Sequence, residues 1–394
     1  MNFKTLADAD VRGKRVLLRE DLNVPMKDGA IADETRITAA LPTLRWLHEH
    51  GAKTVILSHL GRPDGKPNPK YSLRPLAGRL SELLGVPVQF VDDCVGEACV
   101  AASRNLPDGG FVLFENVRFH PEEEENDPGF ARALAQSGDL YVNDAFGTAH
   151  RAHASTAGVA ADLPAYAGFL MQAELEALGR LTGNPAHPYV CAIGGAKVAD
   201  KVGVFKNLMS KVDAFVIGGG MANTFLAAQG IDVGKSLRDP DLEPAKSIIA
   251  LAGEKHVALH LPTDIVVADA FDADDTARTV SLAQVGQGMI LDIGPETARA
   301  YAQVLRAAKT IVFNGPMGVY EKPAYQNGTR VIGEAIAAAT KAGAVSVVGG
   351  GDAAAAAHAL GFADAMTHVS TGGGATLEFL EGKTLPGVAA LEHD

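Results

Sequence analysis

Basic and polar side chains cluster directly after the β-branched segments in the first half of the sequence. They lie in residues 19–25, 58–63, 115–120 and 144–153, and a further arginine, Arg36, stands early in the helical stretch after the first segment. The carboxyl ends of parallel strands meet at one edge of a sheet, where ligands bind. Guanidinium groups form paired hydrogen bonds with carboxylates and phosphates. This edge is therefore predicted to bind a small ligand with several negative charges.

The basic residues that carry this prediction are Arg36, His59, Arg62, Arg118 and Arg151. Any one of them could pair with a nearby surface acid. Their recurrence at successive strand ends favours a shared ligand instead. Asp21 and Asn23 follow the first predicted strand and are predicted to bind hydroxyl groups of that ligand.

Glycine-rich turns follow the strands of the second half. They fall in residues 194–201, 218–221, 314–321 and 349–352. Glycine turns that open helices expose backbone N–H groups to phosphate. The second half is therefore predicted to bind a nucleotide.

Three charged residues strengthen the nucleotide prediction. Lys197 and Lys201 are four residues apart, so they are predicted to share a helix face and to reach one phosphate chain. Asp352 stands at the start of a predicted helix, where its carboxylate could hold Mg²⁺ bound to nucleotide phosphates.

None of these turns has the spacing of the P-loop or of the dinucleotide-binding fingerprint. Residues 230–236 are one residue short of the P-loop spacing and are interpreted as an ordinary loop. A nicotinamide-dependent oxidoreductase is one alternative, although its glycine fingerprint is missing. A non-catalytic anion-binding protein on the same fold is the other. Such a protein would not need to keep charged groups for two different ligands.

Short β-branched segments alternate with amphipathic helical stretches along the chain, which is typical of parallel sheets covered on both faces. The predicted strands are residues 15–19, 54–58, 86–91, 111–114, 140–143, 189–193, 214–217, 256–260, 265–268, 310–313 and 344–348. The predicted fold class is α/β, with two doubly wound parallel-sheet, Rossmann-like domains joined by a helix hinge.

The predicted helices lie between these strands. They are residues 34–50, 73–84, 168–181, 198–210, 220–228, 241–253, 296–307, 328–341 and 352–360, with Ser72 as the N-cap of the second and Gly85 as its stop. The resulting domains are residues 1–167 for the anionic ligand, 168–183 as connecting helix, 184–370 for the nucleotide, and 371–394 as a segment returning to the first domain.

The composition narrows the range of partners. A net charge of −12 argues against nucleic acid and anionic membranes as partners. No run of about 18 apolar residues is present, and the chain starts without the apolar core of a signal peptide. Three cysteines suit reduced thiols, so a cytoplasmic protein is expected. The acidic run 122–125 is interpreted as solvated charge.

Taken in order, the polar and glycine-rich segments closely resemble those of the phosphoglycerate kinase family over nearly the whole chain. The matching segments are residues 19–25, 58–63, 115–119, 194–201, 261–264, 314–321, 349–352 and 370–375. The resemblance implies reversible phosphoryl transfer from 1,3-bisphosphoglycerate to ADP, giving 3-phosphoglycerate and MgATP, by a monomer that closes around a hinge.

The resemblance also implies roles for individual residues. The phosphoglycerate would be held by Asp21, Leu22, Asn23, Arg36, His59, Leu60, Gly61, Arg62, Arg118 and Arg151. The nucleotide would be held by Gly195, Ala196, Lys197, Lys201, Gly219, Gly220, Ile290, Leu291, Asn314, Pro316, Gly318, Val319, Glu321, Gly350, Gly351, Asp352 and Ala353. The transferring group would be met by Arg36, Lys197, Lys201, Gly372 and Gly373.

Two positions depart from the family pattern. Ala353 stands where serine or threonine is usual, which removes a hydroxyl contact to phosphate. Ile290 stands where glycine is usual in the stretch that resembles the adenine pocket. Both changes bear on nucleotide affinity and base preference, and neither removes a charged group.

Overall fold

The computed structural model describes residues 3–392, which divide into two compact units. The first contains the chain up to Leu175 and again from Thr384 onward, and the second runs from Glu176 to Lys383. One helix, Phe169–Thr182, passes from the first unit into the second. Phe3, near the start of the chain, pairs with Glu392, near its end, and both residues belong to the first unit.

The first unit is built on a parallel six-stranded sheet. In chain order its elements are β1 Arg15–Arg19, β2 Met26–Lys27, β3 Ala30–Ile31, α1 Thr35–Glu49, β4 Lys53–Leu57, α2 Arg74–Leu84, β5 Val88–Val91, α3 Glu97–Asn105, β6 Phe111–Phe114, α4 Pro121–Glu124, α5 Pro128–Ala135, β7 Leu140–Asn143, β8 Ala165–Ala167 and α6 Phe169–Thr182. The spatial order is β5-β6-β4-β1-β7-β8. Strands β4, β6 and β5 therefore lie on one side of β1, and β7 and β8 lie on its other side.

The second unit repeats this plan. Its elements are β9 Tyr189–Ile193, α7 Val202–Leu208, β10 Ala214–Ile217, α8 Gly219–Ala228, α9 Glu243–Lys255, β11 Ala258–His260, β12 Asp264–Ala268, β13 Arg278–Ser281, β14 Met289–Ile293, α10 Pro295–Ala307, β15 Thr310–Asn314, α11 Asn327–Lys341, β16 Val345–Val348, α12 Gly351–Ala359, β17 His368–Val369 and α13 Gly374–Leu380; α14 Pro386–Ala389 follows in the first unit. The parallel sheet has the order β11-β10-β9-β15-β16-β17.

The strongest strand predictions are confirmed. Residues 15–19, 111–114, 140–143, 189–193 and 214–217 form strands with the predicted bounds. These segments are buried along almost their whole length, as continuous apolar runs in a covered parallel sheet should be. The predicted α/β class with two doubly wound sheets is confirmed as well.

One strand was assigned to the wrong sheet. The segment predicted at 265–268 belongs to β12, the central strand of a separate antiparallel sheet in which β13 and β14 flank it. Of its two partners, β13 is largely exposed and carries no continuous apolar run, whereas β14 is a buried, mostly apolar segment that the sequence analysis missed. Periodicity indicated a strand here but could not identify its neighbours.

Helix ends follow from individual residues. Gly85 ends α2 in the left-handed conformation, with φ of 72°, as its role as a stop requires. Ser72 lies one residue outside the N-cap position, which Leu73 occupies, but its hydroxyl still accepts a hydrogen bond from the Arg74 N–H at 3.2 Å. Within residues 3–392, no helix combines the length and apolarity needed to span a bilayer.

Matched leucines in the second unit test the packing. Leu305 on α10 is fully buried, whereas Leu237 is 56% exposed. Leu305→Ala is expected to lower the free energy of unfolding by about 2–5 kcal/mol, because it leaves a cavity. Leu237→Ala is expected to change it by about 0.5 kcal/mol or less. Urea unfolding of both variants measures the difference, and equal losses would contradict the assigned core.

Candidate active site

In the first unit, the predicted anion-binding residues come from loops and a helix start on both sides of the point where the strand order reverses. Residues after β1 and after β7 meet here because these strands are neighbours in the sheet. Doubly wound sheets bind ligands at such switch points. The topology therefore brings together segments that are more than a hundred residues apart in sequence.

His59 marks the centre of the cationic group. It is 3% exposed. Its pKa is held well below the ordinary value, first by burial and then by the positive charges of Arg19, Arg118, Arg36 and Arg151. The structure thus places three of the predicted arginines and His59 within electrostatic reach of one another. Arg62 is exposed to solvent.

The cations differ in their present partners. Arg36, in the first turn of α1, donates from Nη1 to both carboxylate oxygens of Asp21 at 2.8 Å. Arg118 is nearly buried, donates to the Gly61 carbonyl at 3.0 Å, and has its pKa lowered to about 10 by desolvation. Arg151 donates from Nε to His150 at 3.3 Å. Arg118 also pairs from Nε with Glu124 at 3.4 Å, so two of the three cations have a carboxylate partner that an anionic ligand would have to displace.

The remaining predicted residues shape the loops around these cations. The Gly61 N–H donates to the side-chain oxygen of Asn23 at 2.9 Å, which ties the loops after β1 and β4 together. The Leu22 N–H donates to the Ser58 hydroxyl at 2.9 Å. Asn116 donates to the Leu60 carbonyl at 2.8 Å. Asn23 thus holds backbone here, in addition to its predicted role as a ligand-binding residue.

Several buried charges in this unit were not predicted. Arg19, the last residue of β1, is fully buried and contacts His59 and Ser155. Glu123 is also fully buried, so the interpretation of 122–125 as solvated charge is wrong for this residue. Glu20 and Asp144 are buried carboxyls whose pKa values are raised by desolvation, that of Asp144 to about 6. Glu20 directly follows β1 and Asp144 directly follows β7, and this position at a strand end was the sequence signal that could have identified them.

In the second unit, a cavity of about 550 Å³ opens at the carboxyl ends of β9 and β15. These adjacent strands are again the point where the strand order reverses. The predicted nucleotide residues that line it are Gly195, Ala196, Gly219, Gly220, Ile290, Leu291, Pro316, Gly318, Val319, Glu321 and Asp352. The size and the mostly apolar walls suit one drug-sized or nucleotide-sized ligand.

The glycines of this cavity let its loops approach one another closely. A Cβ on Gly194 would lie 2.0 Å from the Pro316 carbonyl oxygen, and one on Gly219 would lie 2.7 Å from the Gly195 carbonyl oxygen. A Cβ on Gly318 would lie 2.4 Å from a carboxylate oxygen of Asp292. These glycines are therefore required by packing, whatever they also bind.

The two predicted lysines do not share a helix face. Lys197 is exposed in a loop, and Lys201 ends a short 3₁₀-helix, so the helical spacing argument was wrong. The Lys201 ammonium donates to the carbonyls of Gly194 and Asn314, both at 2.7 Å. Burial lowers the pKa of Lys201 to about 8. The turn after β9, rather than helix periodicity, places this cation beside the cavity.

Other predicted residues lie outside the cavity walls. Asn314 is buried and donates to the Gly349 carbonyl at 2.7 Å, linking the turns after β15 and β16. Gly350 precedes α12 with a φ of 98°, and Gly351 begins the helix. Ala353 is buried in its first turn. Asp352, which does line the cavity, is exposed at the same turn, so its carboxylate is available to a phosphate-bound cation.

The two glycines predicted to meet the transferring group precede α13. Gly373 is the N-cap residue, with a φ of 51°. The Gly372 N–H donates to the Ser370 hydroxyl at 3.1 Å. To bind an anion, Gly372 would have to exchange this partner.

Comparison with known proteins identifies relatives over the full length. The family model described as phosphoglycerate kinase matches residues 6–383. The phosphoglycerate kinase of Chloroflexus aurantiacus is 55% identical over 397 aligned residues, covering 100% of this chain and 99% of the relative. That of Moorella thermoacetica is 55% identical, covering 98% of each chain.

Solved structures agree with this result. The structure of phosphoglycerate kinase from Coxiella burnetii matches with a TM-score of 0.91 and 45% identity, covering 99% of this chain and 98% of that one. The crystal structure of phosphoglycerate kinase from Pyrococcus horikoshii matches with a TM-score of 0.83 and 36% identity, covering 98% of each.

The position of Lys201 generates a titration prediction. Because burial lowers its pKa to about 8, Lys201 should lose its proton well before Lys322, whose pKa is raised by a hydrogen bond with Asp272. With the folded-state pKa below the ordinary 10.5, the contribution of Lys201 to stability should rise as the pH increases from 8 to 10.5. NMR titration of labelled lysines, assigned with Lys201→Arg, measures both midpoints. Coincident midpoints would contradict the desolvated environment.

Proposed function

This chain belongs to the phosphoglycerate kinase family, and we propose that it catalyses reversible phosphoryl transfer between 1,3-bisphosphoglycerate and ADP, giving 3-phosphoglycerate and MgATP. The observation that carries the proposal is the convergence of Arg36, Arg118 and Arg151 on His59. Such a cluster suits a small molecule that combines phosphate and carboxylate groups.

The first unit is proposed to bind the phosphoglycerate. Arg36, Arg62, Arg118 and Arg151 neutralise its phosphate and carboxylate charges, since guanidinium groups keep their charge at every working pH. His59 donates a hydrogen bond. Asp21, Asn23 and the backbone of Leu22, Leu60 and Gly61 complete the site. The buried position of Arg118 supports this role, because Glu124, 3.4 Å from Nε, offsets the desolvation of its charge only in part and an anionic ligand would offset more.

The second unit is proposed to bind the nucleotide as its Mg²⁺ complex. The base would lie against the apolar walls of the cavity that include Ile290, Leu291 and Val319. Glu321, which lines the same cavity, would accept hydrogen bonds from ribose hydroxyls. Asp352 would hold Mg²⁺ together with the phosphates, because Mg²⁺ prefers carboxylate and phosphate oxygens.

Phosphoryl transfer requires positioning and charge neutralisation more than covalent chemistry. The attacking or leaving atom of the metabolite is a carboxylate oxygen, which is already ionised at neutral pH. No general base is therefore needed. Arg36, Lys197 and Lys201, with the N–H groups of Gly372 and Gly373, are proposed to neutralise the transferring group. The reaction requires that the two units bring their ligands together during turnover.

Two features support finer parts of the proposal. The three cysteines, Cys94, Cys99 and Cys191, are buried free thiols, which suits a reducing cytoplasm. The large hydrophobic side chains exposed within residues 3–392 are Leu237 and Phe271, and both line the nucleotide cavity. Ligand binding therefore accounts for the exposure of both side chains without a partner subunit. We propose that the enzyme acts as a monomer.

Ile290 and Ala353 bear on nucleotide preference. Ile290 is 9% exposed and contributes apolar wall to the cavity. Its side chain occupies space that a glycine would leave open, so it should favour base contacts through dispersion. Ala353 is buried and leaves phosphate recognition at this turn to backbone N–H groups.

A coupled assay tests the proposal directly. MgATP- and 3-phosphoglycerate-dependent turnover is measured through NADH oxidation by added glyceraldehyde-3-phosphate dehydrogenase. The wild type should turn over both substrates, and Lys201→Ala should lose most of this activity because a desolvated cation at the phosphates is removed. Absence of turnover in the folded wild type would overturn the proposed reaction and favour a binding protein. A nicotinamide-dependent enzyme would instead show thermal stabilisation by NADH and not by MgADP.

Arg36→Ala should reduce kcat by about a thousandfold, the effect expected of a cation acting on a transferring phosphoryl group. Arg45→Ala is the matched control, since Arg45 is an exposed arginine on the same helix. It should leave kcat within twofold of the wild-type value. If Arg36→Ala retains kcat within tenfold, its role at the transferring group is wrong.

His59→Gln distinguishes substrate binding from proton transfer. Glutamine keeps an N–H donor but cannot relay a proton, so kcat should stay within about tenfold while the KM for 3-phosphoglycerate rises. Loss of a general base would lower kcat by about a hundredfold or more. Steady-state kinetics across pH therefore separate the two roles.

A further inference from the structure

Arg19 is a buried arginine at the carboxyl end of β1, directly behind the proposed phosphoglycerate site. Its side chain is fully buried. From Nε it donates to the Ser155 hydroxyl at 2.8 Å, and from Nη2 it contacts Nδ1 of His59 at 3.2 Å. A third guanidinium nitrogen donates to the Glu20 carbonyl. Each of the three guanidinium nitrogens thus has a partner within the protein.

Glu123 holds this arginine in place through Ser155. The Ser155 hydroxyl lies 2.5 Å from one oxygen of Glu123, and the Ser155 N–H lies 2.8 Å from the other. Because Ser155 Oγ accepts from Arg19, its own hydrogen must point to Glu123. The hydrogen bonds therefore run in one direction, from Arg19 through Ser155 to a fully buried carboxyl group. A buried cation is costly unless such partners compensate it.

The contact between Arg19 and His59 constrains the imidazole ring. Arginine can only donate, since its guanidinium group stays protonated in proteins. Nδ1 of His59 must therefore be the acceptor. A neutral imidazole carries a single proton, so this proton lies on Nε2.

The charged groups with the largest effect on the protonation of the ring act in the same direction. They are Arg19 from β1, Arg36 from α1, Arg118 from the turn after β6 and Arg151 from the loop after β7. All four are cations, and two of them carry a carboxylate partner, Asp21 on Arg36 and Glu124 on Arg118. Their field opposes a second proton on His59.

We propose that Arg19 is a positioning residue that keeps His59 neutral with its proton on Nε2, so that His59 offers the substrate a hydrogen-bond donor that does not change with pH. Glu123 and Ser155 set the orientation of Arg19. The inference rests on the proposed function in that it assigns His59 to the phosphoglycerate site. It adds which atom of His59 donates and which residues determine this.

The test is the tautomeric state of His59 in the full-length protein without substrate. Nitrogen-15 NMR of histidine-labelled protein distinguishes the Nε2–H form, the Nδ1–H form and the imidazolium, and His59→Gln identifies the relevant signals. The Nε2–H form is expected throughout the range from about pH 5 to 8, in which an ordinary histidine would titrate. An Nδ1–H ring, or an imidazolium at pH 7, would overturn the inference.

Variants show whether Arg19 is the cause. Arg19→Met should populate the Nδ1–H form or raise the titration midpoint of His59 by about one pH unit or more, because it removes both a donor and a neighbouring charge. Arg15→Met, at the opposite end of β1, should leave the His59 signals unchanged. Unchanged signals in folded Arg19→Met would contradict the role of Arg19.

Ser155→Ala provides a second variant of the hydrogen-bonded network, and the spectra do not depend on the coupled assay. If Arg19→Met fails to fold, Ser155→Ala replaces it, since that variant retains the guanidinium group but frees its orientation. It should then populate the Nδ1–H form in part, and wild-type signals in it would count against the network. Because the spectra are recorded without substrate, a failure of the coupled assay would overturn the proposed function and leave the tautomer result standing.

Discussion

The rest of the structure depends on the convergence of parallel strands at one edge of each sheet. All strands of a parallel sheet end on the same side, so their following loops share a small volume. The order reverses between β1 and β7 in one unit and between β9 and β15 in the other. Loops on either side of these reversals diverge into opposite crossovers, which leaves room for a ligand. Both candidate binding sites lie there.

The two units differ in the charge that they place at the carboxyl edge of their sheets. The first collects cations, whose mutual repulsion and desolvation must be offset before any ligand arrives. The buried carboxyl group of Glu123 supplies part of that compensation through Ser155, and Asp21 and Glu124 pair directly with Arg36 and Arg118. The second unit uses backbone instead, with glycines that let the turns after β9 and β15 approach closely. A mostly apolar cavity results, whose charged lining residues include Glu321, Lys322 and Asp352, with Lys201 close beside it.

Neutral His59 connects structure to chemistry. A histidine among four arginines cannot easily carry a charge, so a proton-relay role would conflict with its surroundings. Phosphoryl transfer to a carboxylate does not require a proton relay. The electrostatic environment of His59 therefore agrees with the requirements of the proposed reaction.

The sequence by itself determined the alternation of strands and helices, the bounds of the most apolar strands, and which segments follow strand ends. These features depend on local periodicity and composition, which each segment carries within itself. Tertiary structure decided the antiparallel placement of β12, the burial of Glu123 within an acidic run, and the loop position of Lys197. These depend on partners distant in sequence: Glu123 is buried because Ser155 and Arg19 pack against it. A single acidic residue carries no local signal of such a partner, so only the folded chain could reveal it.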